Sequence, residues 1–272
     1  MTFLIPFFFF ILGLVVGSFL NVVIFRFNTS KVLKGRSICV SCHHKLCWYE
    51  LIPLISFCAL KGRCRNCQTK ISRTYFLVEL ITGFIFLGLF LKFSAQGGSA
   101  PGGQDFYFWF NPAFFIIYAY YALAFSILMV IAFYDLKHKI IPDKLSFSLG
   151  LLSFVGLFIF SEYNFYLHFP TLGQFLTGPL LALPFAFLWF ISKGSWMGLG
   201  DAKLIIGLGW LVGISQAFSG ITIAFWSGAL LGIFLIIFSG KYKMKSEIPF
   251  APFLIFSTIL AFLFELHIFL IF

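Results

Sequence analysis

Two cysteine pairs, Cys39 with Cys42 and Cys64 with Cys67, are each spaced C-x2-C, and 21 residues separate them. Each pair closes a tight knuckle that presents two thiolates, and two knuckles complete a tetrahedral four-sulfur site of the zinc-ribbon kind. A closed site of this type leaves no open coordination position, so the Zn2+ it implies is structural. Disulfides and a redox C-x-x-C are the competing readings. Cys47 and Cys58 fall outside the pairs and read as packing residues, while His43 and His44 are possible substitute ligands.

The second group is carboxylates. Ionisable residues near membrane spans are costly and functional by default, which singles out Glu79, Asp135, Asp143 and Asp201. Asp135 follows Ile131-Ala132-Phe133-Tyr134 and caps one apolar run; Asp201 follows Gly198-Leu199-Gly200 and precedes another. Gly198 and Gly200 remove side-chain bulk, so a peptide or a neighbouring helix can approach the Asp201 carboxylate. Two carboxylates confined together cannot readily both ionise, so one proton is shared across the pair. That is the arrangement of an aspartic protease, in which the ionised member activates water and the protonated member donates to the carbonyl oxygen. The competing reading makes Asp201 an ordinary helix N-cap and Asp135 a solvated partner of Lys137 or Lys139. Asp143, after Ile141-Pro142, reads as an N-cap or as support for the pair.

The elements that carry these residues are set by composition. The 272 residues are 61% apolar and only 10% charged, against roughly 25% charged in a typical soluble protein. With 42 Phe and a mean hydropathy of +1.01, most of the chain must be solvated by lipid as spanning helices. Uncharged runs predict about eight spans: 3–25, 75–91, 113–134, 145–161, 175–192, two within 204–240, and 248–264. The 37 uncharged residues from Leu204 to Gly240 would form a single helix roughly 56 Å long, far beyond a hydrocarbon core of ~30 Å. They must fold back, and Gly213 to Gly220 supplies small and polar residues for the turn.

Alternating these spans puts 18 of the 19 Lys and Arg residues on one side, which the positive-inside rule makes cytoplasmic, with both termini on the other face. The net charge of +10 is thus topology, and no nucleic-acid partner is expected, because no aromatic-basic recognition module accompanies it. Lys92 alone lies near the far end of a span, where it can snorkel. The first span lacks a basic region before it and reads as a retained helix rather than a signal peptide. Residues Gln96 to Asn111, rich in Gly, are expected to form a flexible loop. No internal repeat is evident.

The combination resembles the type IV prepilin peptidase family, bifunctional leader peptidases and N-methyltransferases of pilus and type II secretion systems. The resemblance rests on Gly17-Ser18-Phe19-Leu20-Asn21, both cysteine pairs, Leu51-Ile52-Pro53, Ile71-Ser72-Arg73 and Val78-Glu79-Leu80. In the second half it rests on Asp135 with Ile141-Pro142-Asp143, on Gly198-Leu199-Gly200-Asp201-Ala202-Lys203-Leu204, and on Ile248-Pro249-Phe250-Ala251-Pro252-Phe253. The sequence departs from the family pattern at Val40, at Phe27-Asn28 and at Ala251.

The resemblance implies that Asp135 and Asp201 are the catalytic pair and that Cys39, Cys42, Cys64 and Cys67 hold zinc. It implies cleavage of prepilin and pseudopilin leaders at the cytoplasmic face of a bacterial inner membrane, then methylation of the new amino terminus by S-adenosylmethionine. No G-x-G-x-x-G motif follows a strand, so the methyl-donor site must be non-standard. Asn21, Arg26 and Glu79 are nominated for cofactor or substrate contact, and Lys203 for orienting substrate. Their alternatives are interhelical hydrogen bonding for Asn21, lipid-phosphate anchoring for Arg26, an ion pair with Arg73 for Glu79, and a topological boundary for Lys203.

The expected fold is an all-α polytopic membrane protein of about eight transmembrane helices, with a small cytoplasmic four-cysteine zinc-ribbon-like module between the first and second. Residues 1–25 form the first helix, 26–74 the zinc module, 75–112 the second helix and a periplasmic loop, and 113–272 a six-helix aspartic peptidase domain. Two other classes compete: a peptidase alone, whose zinc module docks substrate, and a non-enzymatic scaffold or transporter.

Overall fold

The computed structural model describes residues 4–27, 37–39, 41–97, 112–161, 164–238 and 248–268. The chain divides into two compact units, Met1–Ala95 and Gln96–Phe272. Most of the expected Gln96–Asn111 loop, the Lys241–Glu247 connection, Asn28 and Val40 lie outside the described residues.

The first unit is built on α1 (Leu4–Arg26) and α3 (Arg73–Gly97), with a 3-10 turn at Trp48–Leu51 and a short α2 (Ile55–Ala59) between them. In lipid every backbone polar group must be satisfied internally, which makes a helix of each long apolar run. The two long helices approach closely because α1 carries glycines one turn apart. A Cβ on Gly17 would lie 2.8 Å from the Glu79 Cα, and one on Gly13 would lie 2.8 Å from the Gly83 Cα. Small residues four apart let helix backbones meet in a membrane, where van der Waals packing drives association. Phe9 stacks on Phe90 and Phe25 on Tyr75, each at a centroid distance of 4.4 Å. Lys92, expected to reach out to an interface, is instead 6% exposed.

The second unit contains α4 (Pro112–His138), α5 (Asp143–Ile159), α6 (Leu172–Ser192), α7 (Leu199–Val212), α8 (Ile214–Phe238) and α9 (Ala251–Leu263). Its centre is α4, where Ala124, Phe125, Leu128, Met129 and Ile131 are fully buried. Helices α5 and α9 pack on α4, α6 packs on α7, and α8 packs on α9. A minimal antiparallel hairpin, Phe160–Ser161 with Asn164–Phe165, follows α5 and is the one sheet among the described residues.

Among the described residues, five helices are long and apolar enough to cross a membrane: α1, α3, α4, α6 and α8. The other three expected spans are shorter, at 17, 14 and 13 residues for α5, α7 and α9. Fourteen residues reach only ~21 Å against a core of ~30 Å.

The fold-back expected over Gly213 to Gly220 takes a single residue, Gly213, whose φ of 80° separates α7 from α8. Residues 214–220 are helical. Their hydroxyls have other work: Ser215 Oγ meets His267 Nδ1 at 2.7 Å, and Ser219 Oγ accepts from the Ile268 N–H at 3.0 Å. The polar residues that read as a turn therefore hold the segment following α9 against α8. Helix α6 begins at Leu172 rather than Phe175, because Thr171 and Gln174 form a capping box there.

Candidate active site and metal centre

The four cysteine sulfurs of Cys39, Cys42, Cys64 and Cys67 all lie within 4.8 Å of one another. Cys39 and Cys67 Sγ are 3.7 Å apart, close to the ~3.8 Å edge of a tetrahedron with metal–sulfur bonds of ~2.3 Å. The donor set therefore fits a closed, structural Zn2+ site.

Its scaffold is one turn built twice with an offset of 25 residues. The Cys39 N–H donates to the His44 carbonyl and the His43 N–H to the Cys39 carbonyl, at 2.9 and 3.0 Å. The Cys64 N–H donates to the Thr69 carbonyl and the Gln68 N–H to the Cys64 carbonyl at the same two distances. His43 and Gln68 adopt φ of 55° and 57°, and the bridges Ile38–Lys45 and Arg63–Lys70 close the two loops. The sequences of the knuckles share little beyond cysteine, so the repeat is visible only in the backbone.

Neither His43 nor His44 joins the sulfur cluster, and Cys58 is exposed rather than packed. Asn66 Nδ2 donates to Cys42 Sγ at 3.8 Å, and Thr69 Oγ1 meets Cys67 Sγ at 3.2 Å. The Thr69 hydroxyl, with its backbone N–H adding to it, holds the Cys67 thiol well below the usual range, at about 6. Such contacts orient ligands and favour the thiolate.

Beside this module, α1 and α3 enclose the polar residues nominated from the sequence. Asn21 is 2% exposed and donates through Nδ2 to the Tyr75 carbonyl at 3.0 Å. Glu79, 9% exposed, accepts from the Leu54 N–H at 2.9 Å and bonds to the Ser18 and Asn21 side chains. It makes no salt bridge with Arg73. Arg26 ends α1 within electrostatic reach of Tyr75. Leu54 holds its N–H toward Glu79 with a φ of 58°, a strained value for a branched residue. Asn21 Oδ1 is buried with no hydrogen-bond partner, an orphan acceptor of the kind that marks a place for a donor.

In the second unit, α4, α7 and α9 converge on the two aspartates. Asp135 is 4% exposed and Asp201 8% exposed, and their charges interact directly. Asp135 lies inside the last turn of α4, not after it. Asp201 is the third residue of α7, whose N-cap position belongs to Gly198, so Asp201 is neither the N-cap nor a residue that precedes the helix. The Ala251 N–H, at the start of α9, faces the Asp135 carboxylate. A helix start presents unpaired N–H groups and a positive dipole end to such a carboxylate.

What approaches Gly200 is the loop before α5. A Cβ there would sit 3.0 Å from the Ile141 Cβ, whereas one on Gly198 would be 3.9 Å from Asp201 Oδ2, an ordinary contact. Asp143 is the first residue of α5, with Pro142 at the N-cap position, and its Oδ1 pairs with Lys203 Nζ at 2.6 Å. This ion pair joins two nominated residues, one on α5 and one on α7.

Ala251 enters the sequence analysis only inside a motif and as a departure from the family pattern, and Leu54 does not enter it. Both act through a backbone N–H, which no side-chain pattern can announce. Thr69 was missed outright; a hydroxyl two residues past the last cysteine was the available signal.

Two family models match the chain: the bacterial Peptidase A24 N-terminal domain over residues 11–93 and the Type IV leader peptidase family over residues 122–266. The relatives include a prepilin leader peptidase/N-methyltransferase of Myxococcus xanthus, 32% identical over 88% of this chain and 66% of that protein. Proteins of the same name from Aeromonas hydrophila and Bacillus subtilis are 30% and 28% identical, over 90% and 94% of this chain and 86% and 92% of their own lengths. The chain thus spans just under two thirds of the Myxococcus protein and most of the other two. No solved structure matches it. With the second model covering more than half of its residues, including both buried aspartates, the chain belongs to the type IV leader peptidase family.

Proposed function

We propose that this protein cleaves the leader peptide of type IV prepilins and pseudopilins at the cytoplasmic face of a bacterial inner membrane, and then methylates the new amino terminus. The observation that carries the reading is the convergence of Asp135 and Asp201, both buried, at one end of the helical bundle. In this reading the ionised aspartate takes a proton from water as it attacks the scissile carbonyl, while the protonated one donates to the carbonyl oxygen. Collapse of the tetrahedral adduct breaks the C–N bond, and the leaving amine takes a proton from the aspartate that received one from water. The Ala251 N–H faces the Asp135 carboxylate and would help to hold it in place.

For methyl transfer, S-adenosylmethionine would supply an electrophilic methyl group to the freed amine. Asn21 Oδ1 and the Glu79 carboxylate are acceptors and would bind an ammonium group, and the Arg26 guanidinium would meet a carboxylate. The orphan Asn21 oxygen supports this assignment. The zinc module holds the loop that carries Leu54, and through it Glu79. A peptidase-only reading, with the zinc module docking substrate, shares the aspartate pair and differs in its product.

The test reconstitutes the full chain in liposomes with a prepilin and S-adenosylmethionine, and analyses the product by mass spectrometry. Cleaved product carrying one extra methyl is expected. Normal cleavage by Asp135→Asn or Asp201→Asn would sink the dyad, and cleaved but unmethylated product would leave the peptidase alone.

A further inference from the structure

A groove of about 710 Å³ runs between α5 and α7, and neither Asp135 nor Asp201 lines it. Its wall has three chemical layers. At the mouth lie Asp143, Lys144 and Lys203; one turn further along α5 lies Ser146; beyond it come Phe147, Leu151, Phe154 and Trp210. Lys203 is paired with Asp143, whereas Lys144 makes no ion pair among the described residues, so the mouth carries one net positive charge.

Ser146 is 3% exposed, and its Oγ has no hydrogen-bond partner. A buried hydroxyl without a partner asks for one, and this one lines the groove. Phe147 and Leu151, by contrast, are 73% and 54% exposed, as groups open to hydrocarbon would be.

The dimensions choose the occupant. From Asp143 to Phe154 the helix rises ~16 Å, about half of a ~30 Å hydrocarbon core. A cation at the rim, a hydroxyl one turn in and an apolar channel to mid-depth match a phosphate, a glycerol ester and an acyl chain.

We propose that this groove binds one anionic phospholipid, with its phosphate at Lys144 and Lys203, an ester oxygen accepting from Ser146 Oγ, and an acyl chain along Phe147, Leu151, Phe154 and Trp210. The site is separate from the aspartate pair and holds whether or not the peptidase reading does.

Gly150 offers the means to close it. It lines the groove, and a Cβ there meets nothing within 4 Å, so Gly150→Phe fills the channel at a helix position where replacing glycine also favours the helix. The full chain, purified in a non-ionic detergent, is titrated with phosphatidylglycerol, phosphatidylethanolamine and inorganic phosphate and read by native mass spectrometry. The wild type should retain one phosphatidylglycerol in preference to phosphatidylethanolamine. Gly150→Phe should weaken that binding at least tenfold, and Lys144→Gln about fivefold, the size expected of one basic side chain at an anionic surface.

Equal retention of the two lipids by the wild type, or unchanged retention by Gly150→Phe, overturns the proposal. Inorganic phosphate binding as tightly as the lipid overturns it too, by leaving an ion site. Thermal melting checks that Gly150→Phe folds; if it does not, the head-group preference of Lys144→Gln decides alone, and an unchanged preference is fatal.

Discussion

In residues 4–95 the polar groups are held by directed bonds: four cysteine sulfurs gather within 4.8 Å, and Glu79 is fastened to the Leu54 amide at 2.9 Å. In residues 112–268 the two carboxylates are held by packing, each on a buried helix turn, with one amide from the start of α9 facing Asp135. The difference follows from what each region can bury. The 46 residues between α1 and α3 are too few for a sizeable core, and a metal held by the four sulfurs would supply the missing stability. A bundle around α4 has apolar surface in excess and can bury two acids among it. Directed bonds fail one at a time, whereas packing fails by degrees, and this sets the order of expected effects.

The largest belongs to the carboxylates. Asp135→Asn or Asp201→Asn should lower cleavage by at least about a thousandfold, the order seen when one member of an acting unit is lost, while metal content stays at the wild-type level. A fall in metal content would break the comparison, because the two regions would then not be separately organised.

Next comes the metal. Structural zinc contributes on the order of 10 kcal/mol to the folding of small domains, so chelation or Cys64→Ser should open the module to limited proteolysis and abolish methylation. The bundle should keep its protease resistance and its cleavage activity. Loss of cleavage in step with methylation would show that the module serves both reactions.

Acid should act on the same module more gently. The Thr69 contacts hold Cys67 at about 6, below the ordinary thiol value, so its thiolate contribution is complete above that ordinary value and is lost as pH falls through about 6. Acid-driven metal release, followed with a chromogenic chelator, should begin at a higher pH in Thr69→Val than in the wild type. Glu79→Gln should come next, weakening a charged hydrogen bond of about 1.5–3 kcal/mol and slowing methylation roughly tenfold with cleavage intact. The smallest effect belongs to Lys203→Gln: its partner Asp143 has a side chain 76% exposed, and such pairs contribute about 0–1 kcal/mol, so the melting temperature should scarcely change.

The parts legible in the sequence were those where chemistry is written in side-chain identity. Four cysteines at fixed spacing and two aspartates at the ends of apolar runs name themselves, and the structure brings each set together. The run from Leu204 to Gly240 was legible as needing a break, but not where. Ser215 and Ser219 carry the same letters whether they make a turn or tether residues 267–268, and only the fold shows the second. Helix starts were misplaced for a related reason: Gly200 and Asp201 look like a linker until Ile141 is seen lying against the glycine. Lys92 was read by its position in the sequence, and burial overrode that reading.

The doubled knuckle bears on how a metal would be acquired. Each half, offset by 25 residues, closes its turn and bridge with its own backbone hydrogen bonds, so each would act as a two-sulfur pincer. An ion caught by one pincer meets the second as a tethered reactant, at a local concentration set by the 21-residue link between them. Capture is then a chelate effect of two bites, and release requires one pincer to let go first. Lengthening the link between Cys42 and Cys64 should therefore speed metal loss only slowly, since the closure cost grows with the logarithm of loop length.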